Sequence, residues 1–248
     1  MSHHDSGRGQ RRRARRPVRL DETLRLTGSG SITVPPASGA SLTLKIDGDL
    51  IMDVPTVANR SRIVGDVTTA NGVGATITVE ASRNIVLNGN GTTGAPISSN
   101  QTAGSCAGGG GDITLRATVT VVTDKGSSIT STSLCPAGEI MLDAGLGVNI
   151  AGLVLSDGTS SIGRGGPITI ASACTLTVAD SGQVISRGKD PGADLVHLEG
   201  GCSVAIHGLV ASTAPGHVLS PPNRCHGPDD RTSRPTRPRA SRSGRAAR

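Results

Sequence analysis

Asp112 and Glu139 are the two residues of this chain whose types and spacing come nearest to a reactive pair. Each opens a short apolar segment, DITLRA at 112–117 and EIMLDA at 139–144, directly after a glycine-containing turn. Stacked on one another, the two carboxylates would lie about 5 Å apart, the separation a retaining glycosidase uses and also one corner of a calcium site. The equivalent positions of the other segments are Thr76, Pro167 and Leu195. The pair therefore reads as two acidic strand-openers, with no catalytic residue, no cofactor and no metal ligand assigned; calcium is the one ion it leaves open.

The cysteines carry the second candidate chemistry. Cys174 and Cys202 each fall six residues after the first Ile or Val of their segment, and Cys106 and Cys135 fall seven and five residues before the next one. Stacking places such positions about 5 Å apart at Cα, inside the disulfide range. Two bridges are expected, Cys106 with Cys135 and Cys174 with Cys202, leaving Cys225 unpaired and pointing to an oxidising compartment. No C-x-x-C spacing is present, so a zinc site is not expected. His197 and His207 fall on outward positions without a serine or cysteine partner, and the glycine run 108–111 lacks the Lys-Ser/Thr of a phosphate loop, reading instead as a flexible protruding loop. Asn100-Gln101-Thr102 forms a glycosylation sequon, relevant only on a secretory route.

The elements that must position these residues are set by a repeat. The pattern x-(Ile/Val)-x-(Leu/Ile/Val)-x-(Ala/Ser/Gly) appears at 76–81, 112–117, 139–144, 167–172 and, more degenerately, 195–200. After each come a second apolar segment, a glycine-containing turn, and a third segment ending in serine: Ser99, Ser131, Ser156, Ser186 and Ser212. Period-2 alternation bounded by Gly, Asn, Asp and Ser describes three short strands per unit, and the recurring interval is the signature of a solenoid. The expected fold is all-β: a right-handed parallel β-helix with three strands per coil and about 27–28 residues per repeat. Inward columns then run Ile77, Ile113, Ile140, Ile168, Val196 and Val79, Leu115, Leu142, Ile170, Leu198, with a small-residue column Ala81, Ala117, Ala144, Ser172, Gly200 at a corner. An outward column of Glu80, Arg116 and Asp143 alternates in sign and suits a structural ion ladder. A second, Thr78, Thr114, Met141, Thr169, His197, is too interrupted for an ice-binding threonine face.

Composition agrees with a thin solenoid. The chain has no Phe, Tyr or Trp in 248 residues, which an aliphatic bore tolerates and a globular core would not. It also removes the stacking platforms of single-strand nucleic-acid and sugar subsites. The formal charge of +6 is a sum of opposites. Residues 1–19 and 224–248 each carry a net +6, leaving −6 on the body between them. The expected organisation is a disordered basic tail over 1–20, the β-helix over 21–220 with regular coils from 76, and a disordered Arg/Pro-rich tail over 221–248. Over 24–75 the first coils are expected to be irregular. The tails read as solvated basic ends, as DNA translated outside its natural frame, or as anchors for an anionic polymer. No apolar run is long enough to span a membrane, and no secretory signal is visible. The absence of a capping helix suggests a piece of something longer.

Three-strand units, small corner residues, glycine-rich loops and serine-ended third strands over about 24–220 resemble bacterial right-handed β-helix repeat proteins. These are pectin-lyase-like in architecture and include filamentous-haemagglutinin-like and autotransporter-type surface proteins. The resemblance implies secretion or cell-surface display, with structural or adhesive roles in some relatives and polysaccharide cleavage in others. Arg116 and Arg164 lack a matching carboxylate cluster, so no catalytic residue is carried over. The leading expectation is a non-enzymatic secreted or surface β-helix protein, or a fragment of one, whose partner is a cell-surface or extracellular polymer. The alternatives are a polysaccharide-active enzyme whose catalytic coils lie outside this chain, and an anionic-polymer binder acting through its Arg-rich tails, the one route by which nucleic acid would be bound.

Overall fold

A computed structural model of the chain describes residues 18–20, 22–35, 39–56, 58–103, 106–189, 195–212 and 217–220. The bulk of both basic tails, and Cys225, lie outside the described residues. Among the described residues every regular element is a strand, and the strands form three parallel sheets of eight, seven and seven. Each sheet takes every third strand in chain order. The chain therefore turns from the first sheet to the second to the third and back, stacking each coil on the one before. The result is an all-β parallel solenoid with three strands per coil.

One coil shows why the sequence folds this way. Ile113–Ala117, Thr120–Thr123 and Ser128–Ser133 lie on Ile140–Ala144, Gly147–Ile150 and Leu153–Gly158, residue against residue. Alternate residues of every strand point into the bore, and parallel pairing keeps like on like. Ile77, Ile113, Ile140 and Ile168 are fully buried and Val196 nearly so, forming one aliphatic column through the described coils. Val79, Leu115, Leu142, Ile170 and Leu198 form the next, and Ala81, Ala117, Ala144, Ser172 and Gly200 occupy the corner. All three columns stack in the expected register.

One expectation is corrected at the N-terminal end and another is sharpened. Val18–Leu20, read as part of the tail, is a strand on Leu44–Ile46 of the next coil. Its three residues are too few to show a period, and Arg19 binds Asp47 at 2.8 Å to hold the edge. Ser41–Ile46 then pairs with Thr76–Ala81 at every position. The unevenness over 24–75 is thus a matter of turn length rather than of register. The residues that lengthen this coil lie between Leu50–Met52 and Arg62–Val64, where the coil of Gly147–Ile150 and Leu153–Gly158 passes almost directly from its second strand to its third. Beyond Val64 the returning segment bridges Val67 to Gln101 and Val73 to Gly109.

Candidate functional site

The connections that leave the third sheet and return to the first form one edge of the solenoid, and Cys106, the glycines 108–111, Asp112, Cys135 and Glu139 lie along it. What holds the edge is a buried seam of serine and glycine. Ser99, Ser131, Ser156 and Ser186 are completely buried. The Ser156 hydroxyl donates to the Gly138 carbonyl at 2.9 Å and accepts the Gly166 amide at 2.7 Å. Ser131 accepts the Gly138 amide at 2.8 Å, and Ser186 donates to the Gly166 carbonyl at 2.8 Å. Each hydroxyl thus satisfies backbone groups of the returning loop that no strand ladder reaches. The glycines are required because the loops lie backbone on backbone: a Cβ on Gly138 would collide with the Gly111 carbonyl, and one on Gly166 with the Gly138 carbonyl.

That packing overturns the reading of the glycine run 108–111 as a flexible protruding loop. Gly108, Gly109, Gly110 and Gly111 are all buried, lying against Gly72, Pro136, Ser131 and Ser99 respectively. The run is glycine because the backbones approach closely there, not because the segment is loose.

Asp112 and Glu139 are neighbours on adjacent coils, as their spacing implies. The Asp112 Oδ1 atom accepts the backbone N–H of Glu139 at 2.9 Å. The acid ties one loop to the next, which is a structural use. Among the described residues no three His, Cys, Asp or Glu side chains converge as a metal site would need. His197 lies 3.6 Å from Glu199, and His207 is exposed. Asn100 of the sequon accepts the backbone N–H and the hydroxyl of Thr132 at 2.8 and 3.0 Å, so its amide belongs to a coil-to-coil ladder.

The ion ladder is corrected in part. Glu80, Arg116 and Asp143 do stack in one column, but no ion pair joins Glu80 to Arg116 or Arg116 to Asp143. Glu80 reaches instead to Lys45 on the preceding coil, at 2.8 Å, and Arg116 lies 3.8 Å from the sulfur of Met141. Register fixes which residues are adjacent; an exposed acid between two cations is free to choose either.

Cys106 and Cys135 are joined by a disulfide with Cα atoms 5.0 Å apart, bracing two consecutive loops of the edge. Ser160 of the following loop lies 3.8 and 3.6 Å from the two sulfurs. Cys174 and Cys202 meet on adjacent coils with their sulfurs 2.6 Å apart, yet the expected bridge between them is not formed. Cys174 is free.

One feature of the edge escaped the sequence reading altogether. A cleft of about 360 Å³ is lined by Asp157, Gly158, Thr159, Arg187, Gly188 and Lys189. Asp157 and Arg187 are register partners one position beyond the stacked serines Ser156 and Ser186. The Asp157 Oδ2 atom accepts Nε and Nη2 of Arg187, both at 2.8 Å. That hydrogen bonding and the carboxylate's charge raise the Arg187 pKa above its usual value, keeping the guanidinium charged. The signal was present in the serine column, since Asp157 and Arg187 directly follow two of its stacked serines.

No helix among the described residues is long and apolar enough to cross a membrane. Compared with protein-family models, with curated proteins and with solved structures, the chain finds no match.

Proposed function

We propose that this chain is a non-enzymatic β-helix protein of the bacterial secreted or cell-surface kind, with a structural or adhesive role. The observation that carries the reading is where its acids are spent. Asp47, Asp53 and Glu80 pair with cations of neighbouring coils. Asp49 accepts both the backbone and the side-chain N–H groups of Asn84, Asp66 accepts the Asn100 amide, and Asp112 the Glu139 amide. A general acid or nucleophile must be available to substrate; these carboxylates are committed to holding coil on coil. The Cys106–Cys135 disulfide supports an oxidising, hence extracytoplasmic, destination. A flat-sided rod of regular sheets offers extended area for contact, the form that display and adhesion use.

The test is to incubate the full chain with polygalacturonate, alginate and neutral glycans while following reducing ends and unsaturated products. The expected result is no depolymerisation above a buffer blank. Turnover that disappears in an Asp112→Asn, Glu139→Gln double variant would overturn the reading and make this chain an enzyme.

A further inference from the structure

The cleft at the loop edge has properties that a scaffold role does not use. Its volume of about 360 Å³ stands at the low end of the roughly 300–1,000 Å³ typical of small-molecule sites. Asp157 and Arg187, register partners on adjacent coils, line it together with Thr159 and Lys189, and Gly158 and Gly188 lie between these in sequence. Both glycines are obligatory. A Cβ on Gly158 would strike the Arg164 backbone, and one on Gly188 would press into the backbone of 163–165. No side chain can therefore grow from either position to fill the gap.

The charge of the cleft runs against that of the body around it. Among the described residues that line it, Arg187 and Lys189 face a single acid, Asp157, a net +1 within a repeat body of net −6. Asp157 is only 6% exposed and takes Nε and Nη2 of Arg187 on one oxygen. The guanidinium is thereby fixed, and its Nη1 makes no hydrogen bond among the described residues. The Lys189 ammonium likewise has no ion pair or hydrogen bond among the described residues, although its backbone N–H is anchored on the Gly163 carbonyl at 2.8 Å. Two cationic donors, one held in place by a buried carboxylate, thus line a gap with room for one opposite charge.

We propose that this cleft binds a carboxylate group carried on a small organic molecule. A net +1 is balanced by one negative charge, and charge-assisted hydrogen bonds from Arg and Lys suit a carboxylate's two oxygens. A phosphate dianion would bring a second charge beside Asp157, where like charges repel. This inference stands apart from the surface reading and holds in whichever compartment the protein works.

The experiment is an amide NMR titration of the full chain with sodium acetate and sodium glucuronate, with methyl glucoside and inorganic phosphate as comparisons. Both carboxylates should shift the amides of 157–159 and 187–189 saturably, and the neutral glucoside should not. Lys189→Gln, an exposed site whose change leaves the melting temperature alone, should weaken acetate binding about ten-fold, as loss of one charge-assisted bond implies. Lys125→Gln, outside the cleft, should leave it unchanged. Tighter binding of glucuronate than acetate would mark a sugar-borne carboxylate, and equal binding a bare carboxylate site. No saturable shift, equal shifts with methyl glucoside, tighter binding of phosphate, or an unchanged Lys189→Gln variant would each overturn the proposal.

Discussion

The buried serine–glycine seam and the outward column of Lys45, Glu80, Arg116 and Asp143 are built by the same stacking of coil on coil, and they behave in opposite ways. In the seam every hydroxyl has one geometry open to it, because the glycine backbones of the next loop surround it. On the outside, neighbours in register are under no obligation to pair, and Glu80 selects Lys45 while Arg116 turns to Met141. The difference teaches that the interior and the seam specify the fold, while the outer faces are free to carry whatever surface function requires.

The largest effect that would sharpen this contrast comes from closing the backbone approach. Gly138→Val drives a branched side chain into the Gly111 carbonyl and its chain. It should cost more than about 4 kcal/mol or prevent folding, measured by guanidinium unfolding and soluble yield. Replacing Cys106 and Cys135 together by serine removes a bridge spanning 29 residues, and should lower stability by about 2–4 kcal/mol in the same assay. Ser156→Ala leaves the Gly138 carbonyl and the Gly166 amide buried without that partner, an expected loss of about 1–3 kcal/mol. Glu80→Gln, by contrast, breaks only a half-exposed pair with Lys45 and should cost less than about 1 kcal/mol, an effect that vanishes in high salt. A loss at Glu80 as large as that at Ser156 would break the comparison.

What could be read in the sequence follows the same division. The columns through Ile113 and Leu115 were legible because a bore of fixed width demands the same residue class at each coil. The strands Leu24–Leu26 and Leu50–Met52 stack on one another without a regular interval to announce them. The lengths that vary lie in connections, where nothing forces a period. Thr120 meets Asn84 across 36 residues, whereas Glu139 meets Asp112 across 27. The glycines of 108–111 were misread because a residue without a side chain gives no sign of burial. The cleft was missed for a related reason. Arg187 and Lys189 resemble any solvated cations until the loop of 163–165 is seen lying against the glycines beside them.

The central claim, that coils stack in parallel register along one axis, is tested most directly by a distance across several of them. Thr78 and His197 share the outward column running through Thr114, Met141 and Thr169. Nitroxide labels at those two positions, in a variant with Cys174 replaced by serine, can be measured by double electron–electron resonance. Four inter-coil steps of about 4.8 Å predict a single narrow distribution centred near 19–20 Å. A broad distribution without a maximum, or one far longer, would contradict the stacked solenoid.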